Sequence, residues 1–311
     1  MTIDKNKLDY KNKIILAPMV RVGTLPMRIL ALECGADIVY SEELIDLKLG
    51  KCVRKENPVL GTVDFVDPCD GSVIFKTCDI EKGKVVLQLG TACHERALAV
   101  GKLVQNDIAA LDINMGCPKE FSVKGGMGVA LLGQPEKAKK ILRTLVENLK
   151  IPVTCKIRLL PTVEATIKLV NDLATTGIAA IGIHARTRYE RPNHRPHPEA
   201  IREIMKAVEI PVICNGGSKG FELFEDIEKF REECGADSVM VARAAQLNVS
   251  IFRKEGVLPM DDLIKKYLKL CVDYDNTPSN TKYCVQSILQ DQQETPRGRK
   301  FLNCQTLQQI W

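Results

Sequence analysis

Eight short apolar runs, separated by stretches of helical periodicity, constrain this chain more than any other feature of its sequence. They lie at 14–17, 37–40, 85–89, 109–113, 153–157, 179–183, 212–214 and 238–241. Each is nearly continuous in apolar residues rather than alternating, as expected of strands covered on both faces. Between them, 94–105, 135–149, 163–175 and 221–233 place apolar residues on one face of a helix. Strand followed by helix eight times predicts an α/β protein of the (β/α)8 barrel type. The 311 residues suffice for such a barrel, which takes about 250, with a further unit behind it.

Two regions depart from the repeat. Residues 43–84 are too long for one loop and helix, and they hold Gly61, Pro68, Gly71 and Gly83 among short β-like pieces at 63–66 and 73–75. A helix followed by a small hairpin insertion is expected there. After Ala242 the strands stop. Residues 259–274 and 280–293 are helical in period, with Pro278 and Pro296 read as breaks. The expected division is a barrel over 1–250 and a helical domain over 251–311. One internal echo locates corners: Glu33-Cys34-Gly35-Ala36-Asp37 recurs as Glu233-Cys234-Gly235-Ala236-Asp237, each copy closing a helix at glycine and opening a strand.

Twelve cysteines occur without a Cys-x-x-Cys pair, and Cys34, Cys155, Cys214 and Cys234 sit in apolar surroundings. Reduced, buried thiols and a cytoplasmic location are the expectation. The amino-terminal MTIDKNKLDYKNK has no apolar core of a secretory signal, and no run of eighteen apolar residues exists. His194 and His197 form the one close histidine pair, in a proline-rich loop read as lacking acidic partners, so no metal is expected. Net charge is only +5, but Arg186, Arg188, Arg191 and Arg195 fall within ten residues, with Glu190 alone against them. Such a loop is either a solvated face or a phosphate-contacting patch.

In a barrel of this kind, chemistry gathers where the strands end. Those ends read Ala17-Pro18-Met19, Ser41-Glu42-Glu43, Gln88, Asp112-Ile113-Asn114, Lys156-Ile157-Arg158, His184, Asn215-Gly216-Gly217 and Ala242-Arg243. Alternation along 153–158 turns Thr154, Lys156 and Arg158 inward. A lysine inside a barrel needs negative charge. Asp112 in an ion pair is the plainer source and an anionic ligand the functional one. Glycines beside an arginine at the last two strand ends form a phosphate site of a kind common in these barrels. Gln88 and His184 are also readable as satisfied core polar groups. Cys117 lies past a strand end, between Gly116 and Pro118, where a thiol can exchange a proton or attack a substrate.

LAPM at 16–19, NMGCP at 114–118 with GGMG at 125–128, CKIR at 155–158, HARTR at 184–188 and NGG at 215–217 together resemble the tRNA dihydrouridine synthases. VRVGTLPMR, EELIDLK, VTCKIR, SVMVARAA and NTKYC put the likeness nearest the second eukaryotic class, which modifies position twenty of the D-loop. The resemblance implies an FMN-bearing barrel, NADPH as reductant, tRNA as substrate and a helical domain that clamps tRNA. By the same resemblance, Pro18, Met19 and Val20 would line the flavin, while Gln88, Lys156 and His184 would contact it. Asn215, Gly216, Gly217, Ala242 and Arg243 would hold its phosphate. Cys117 would be the proton donor and Asn114 would meet the uracil edge. Lys119, Lys124 and the arginine loop, with Arg186 and Arg188, would hold RNA phosphates. Members of this class carry a double-stranded-RNA-binding domain after the helical one. The sequence stops at Trp311, which reads as a fragment or as a version holding tRNA by other means. Two other readings compete: an FMN-dependent dehydrogenase of free pyrimidines, and a non-catalytic RNA-binding protein on the same barrel.

Overall fold

The computed structural model describes residues 8–311. The polar stretch read as lacking a signal core begins with residues 1–7, outside the described residues. β1 (Ile14–Leu16), α1 (Leu25–Glu33) and β2 (Ile38–Ile45) open the chain. α2 (Asp46–Leu49) then leads into β3 (Val53–Asn57), β4 (Thr62–Val66) and β5 (Val73–Cys78). The repeat resumes with β6 (Val85–Gly90), α3 (His94–Val104), β7 (Ala110–Asn114), α4 (Glu120–Lys124), α5 (Pro135–Asn148) and β8 (Val153–Leu159). It continues through α6 (Val163–Ala174), β9 (Ala180–Thr187), α7 (Pro198–Ala207), β10 (Val212–Asn215), α8 (Phe224–Cys234), β11 (Ser238–Val241) and α9 (Arg243–Leu247). α10 (Met260–Asp273), α11 (Pro278–Leu289), α12 (Pro296–Leu302) and α13 (Leu307–Ile310) follow without strands between them.

All eight expected strands form, and they close a parallel barrel in the order β1-β11-β10-β9-β8-β7-β6-β2. Two apolar cores result. A large outer one lies between strands and helices and takes Val153, Cys155 and Ile157 of β8. A small inner one fills the barrel with Ile15, Ile38, Tyr40, Val86, Ile213 and Met240, and Tyr10 enters it from below β1. Cys34, Cys155, Cys214 and Cys234 are buried free thiols.

The echoed motif has a second purpose beyond turning the chain. Gly35 and Gly235 stand at φ +108° and +61°, so each corner uses the left-handed region that glycine enters freely. The aspartate that ends each copy then accepts the first amide of the neighbouring strand. Ile14 N–H donates to Asp37 at 2.8 Å, and Val212 N–H donates to Asp237 at 3.0 Å.

The insertion is larger than a hairpin. β3, β4 and β5 make a three-stranded antiparallel sheet. The extra strand reads Val-Arg-Lys-Glu-Asn and is mostly exposed, a charged edge without the apolar signature of a strand. The two prolines read as breaks begin helices instead. Pro278 opens α11 behind a Thr277 cap, and Pro296 opens α12 behind a Thr295 cap. A proline in the first turn costs no hydrogen bond, because that N–H has no helical partner anyway. The carboxy-terminal helices pack on the barrel's outer core through Leu263, Tyr267 and Cys284. Asn280 donates to Arg21 O at 2.6 Å, bringing α11 to the loop that leaves β1.

Candidate active site at the barrel mouth

The mouth is built on a buried polar ladder. Register aligns Gln88, Asp112 and Thr154 across β6, β7 and β8. Gln88 donates to one oxygen of Asp112 at 2.8 Å and Thr154 to the other at 2.7 Å. Burial raises the Asp112 carboxyl to about 6, against those two donors and Lys156, which lower it. One step higher, Asn114 donates to Gln88 Oε1 at 3.0 Å. Its own carbonyl oxygen accepts from the amides of Gly116 and Cys117, each at 2.9 Å. The chain of contacts therefore runs from a carboxyl inside the barrel to the backbone of the cysteine loop. Buried donors and acceptors that are all partnered make a rigid support.

Cys117 is half-buried, and Ser122 of α4 donates to its Sγ at 3.3 Å. Gly128 makes this loop possible. It stands at φ +57°, and a Cβ there would lie 2.4 Å from Cys117 O. The two readings of Lys156 are now distinguishable. Asp112 is occupied by Gln88 and Thr154, and among the described residues Lys156 has no carboxylate within ion-pair distance. Burial lowers its ammonium to about 8. Arg158 adds to that, while Asp112 and Cys117 partly offset it. Its stem runs along Gly182, where a Cβ would come within 3.2 Å of Lys156 Cγ. A half-buried cation without a carboxylate partner calls for an anion.

Arg158 faces inward from the same strand as Lys156. It donates to Gly116 O at 2.8 Å and to Thr187 O at 3.1 Å, joining the cysteine loop to the end of β9, where the arginine loop begins. Sequence reading turned Arg158 inward without giving it a role. The bare peptide carbonyls it serves leave no side-chain signature.

The opposite wall is formed by β9, β10 and β11. His184, Arg186, Asn215, Gly216, Ala242 and Arg243 share a cleft of about 130 Å³, so the phosphate-site candidates other than Gly217 come together there. Ser218 and Lys219 also line it and went unread in the sequence. Gly216 stands at φ +127°, and a Cβ there would lie 3.0 Å from the His184 ring. Gly217 serves packing, since a Cβ would meet Phe221 and Phe230 at 2.7 Å. Burial holds His184 well below the usual imidazole range, helped by Lys156, Arg158 and Arg186. The ring is therefore neutral, and Arg186 donates to its Nε2 at 3.2 Å. Across the mouth, Pro18 and Met19 are half-buried and Val20 is exposed in the loop after β1.

Two expectations about the basic groups change. Arg186 is 4% exposed rather than on an open loop face. It donates to Gly216 O at 2.8 Å and His194 O at 2.9 Å, so it shapes the cleft from within. Arg188 is exposed and stacks on Tyr189 at 5.3 Å, with Arg191 and Arg195 exposed beside it. Lys119 and Lys124 are exposed at the two ends of α4, Lys124 paired with Glu120 at 2.7 Å. His197 does have acidic partners: Glu190 lies 2.7 Å from one ring nitrogen and Glu199 lies 3.3 Å from the other.

The dihydrouridine synthase (Dus) family profile matches residues 15–293. The chain is 41% identical over 294 residues to a tRNA-dihydrouridine(20) synthase [NAD(P)+] of Schizosaccharomyces pombe, covering 91% of this chain and 60% of that protein. It is 36% identical over 299 residues to the protein of the same name from Saccharomyces cerevisiae, covering 90% of this chain and 78% of that one. It is also 32% identical over 250 residues to tRNA-dihydrouridine synthase B of Pectobacterium carotovorum, covering 78% of this chain and 71% of that one. Among solved structures, a variant of NCR from Zymomonas mobilis superposes with a TM-score of 0.50 at 14% identity, over 88% of this chain and 94% of that chain, a likeness of fold alone. The profile covers the barrel from Ile15 onward and runs past the end of α11, so the chain belongs to the dihydrouridine synthase family.

Proposed function

We propose that this chain reduces a uridine of the tRNA D-loop, at position twenty, to 5,6-dihydrouridine, with FMN as its cofactor and NADPH as reductant. The observation that carries the reading is the placement of Cys117. A thiol stands at the strand-end rim on a loop locked by Asn114, with the unpaired Lys156 on the adjacent strand. The names of the two yeast relatives support the substrate class and the position.

The residues present fit a flavin mononucleotide. Gly216, Ala242 and Arg243 offer a small, basic, glycine-edged cleft for a phosphate. Lys156 offers a half-buried positive charge for the electron-rich edge of a reduced ring. Pro18 and Met19 offer an apolar wall. When bound, FMN would supply a hydride to uracil C6, and NADPH would restore it.

The chain's own residues account for the rest. The C5–C6 bond of uracil is conjugated with the C4 carbonyl, so hydride addition at C6 leaves negative charge that a proton at C5 quenches. Cys117 supplies that proton, because its S–H stands at the rim where a general acid can yield a proton to a carbanion-like centre. Asn114 orients the uracil edge and fixes the cysteine loop at once. The base must leave its stack to reach the rim. Arg188, Arg191, Arg195, Lys119 and Lys124 hold the RNA backbone around it, and residues 251–311 form a helical tRNA-binding domain beside the catalytic barrel of 1–250. The cytoplasm is the proposed compartment.

The test is reduction of unmodified tRNA with FMN and NADPH, mapped by mass spectrometry. The wild-type chain should modify position twenty. Cys117→Ala should lose about a hundredfold or more in rate while retaining its flavin. Full activity in that variant, or turnover of free uracil with none on tRNA, would overturn the proposal.

A further inference from the structure

Glu43 is a carboxyl that the reaction described above does not use. It belongs to the last turns of β2, and a bulge aims it. The register passes from Tyr40 opposite Val86 to Glu43 opposite Gln88, one residue more on β2 than on β6. Such a bulge re-aims the side chains that follow it. Ser41 fills the interrupted ladder, its Oγ accepting from Gln88 N–H at 3.0 Å. The glycines around the bulge make the room. A Cβ on Gly23 would meet Glu42 N at 2.5 Å, and a Cβ on Gly90 would come within 2.7 Å of Glu43 Oε1.

Glu43 Oε1 is buried and has no hydrogen-bond partner among the described residues. Burial raises the carboxyl's affinity for a proton, and the Cys117 thiol and Lys119 beside it only partly offset that. The ionisable groups around this spot are few. The loop after β7 contributes Cys117 and Lys119. β8 contributes Lys156 and Arg158, both of which sense the sulfur. From β6 come only Gln88 and Gly90, which do not titrate. A buried carboxyl oxygen left without a partner, beside the proton-donating thiol, is costly unless it has work to do.

We propose that Glu43 is the proton reservoir of Cys117. In the donating step the Sγ–H bond breaks and a C5–H bond forms, leaving a thiolate. The Glu43 O–H bond then breaks as S–H re-forms, and the carboxylate takes its replacement proton from water. No electrons move in this relay. It rests on the reading of Cys117 as the donor, but it makes a claim about the sulfur itself that is measurable without flavin or tRNA.

The test is Glu43→Gln in the full chain, with Gly90→Ala as a second variant that displaces the carboxyl without removing it. Alkylation of Cys117 by iodoacetamide, followed on its own peptide by mass spectrometry, should match wild type in Glu43→Gln while the carboxyl holds its proton, and should quicken about threefold to tenfold at alkaline pH, where Glu43 has given up that proton and the substitution removes a neighbouring negative charge. Gly90→Ala should move it the same way by less. In tRNA reduction the first turnover, drawing on the proton already on sulfur, should stay within about twofold of wild type, while steady turnover falls about tenfold. An unchanged alkylation rate at alkaline pH, or first and steady turnovers falling together, overturns the reservoir. If Cys117→Ala also reduced tRNA at full rate, the donor assignment itself would fail, an outcome separate from either result.

Discussion

The two walls of the barrel mouth are held in opposite ways. On the β6–β7–β8 side, Asp112, Gln88, Thr154 and Asn114 bond to one another in the dry interior, and every contact points toward the cysteine loop. On the β9 side, the loop from Arg188 to Arg195 stands in solvent with its three arginines, pinned mainly by Arg186 beneath and by the Glu190–His197 pair. Buried, saturated networks fix atoms; exposed cations are screened and mobile but attract a polyanion from afar. The division suits the proposed reaction, in which one thiol is placed closely and a large, charged substrate is held loosely.

Three experiments would break or sharpen this contrast. Asp112→Leu should have the largest effect. Removing the carboxyl strands the Gln88 amide and the Thr154 hydroxyl, and stability should drop by about 2–4 kcal/mol, read by denaturant unfolding. If stability were unchanged, the ladder would not be the rigid wall. Next, replacing Arg188, Arg191 and Arg195 together by alanine should weaken tRNA binding about tenfold to a hundredfold and reduce the slope of log affinity against log salt by about 2. Turnover at saturating tRNA should change far less. A folding defect in this triple variant would show that the loop is a structural element after all.

The smallest effect concerns pH. The hydrogen bond to Glu190 raises the His197 ring above its usual 6.5, so its contribution to holding the loop is complete below that value and fades as pH rises through the raised one. Burial pushes Glu190 up, but the Thr187 amide and His197 outweigh it and hold the carboxyl down at about 2. Its contribution is therefore present above the usual 4.5 and lost as pH falls toward 2. Amide exchange across residues 188–197, taken relative to the intrinsic rate at each pH, should be slowest near pH 5–6 and quicken by pH 8, by about threefold, as for a partly exposed pair worth up to about 1 kcal/mol. His197→Ala should flatten the rise.

What the sequence made legible follows the same division. The barrel strands were readable because burial on both faces writes a continuous apolar run, as in Val85–Leu89. Cys117 and Lys156 were readable because a thiol or an ammonium at a strand end has few bland explanations. The charged edge strand β3 was not, since solvent on its exposed side leaves no apolar mark. Nor was the fate of Arg186, whose partners are peptide carbonyls, in a run where every neighbouring arginine is exposed. Glu43 stood in plain view at a strand end, but its direction depends on a bulge that only strand pairing reveals. Pro278 and Pro296 misled because the same residue stops one helix and starts another.

Arg158 holds the two walls in mechanical register. Its guanidinium grips Gly116 O with one arm and Thr187 O with another, so neither loop can slide past its neighbour without letting go of a charged bond worth about 1.5–3 kcal/mol. A load applied to the arginine-bearing segment is thus passed by a single side chain to the peptide that carries the sulfur. For the proposed substrate, gripping the RNA and aligning the thiol would become one motion instead of two.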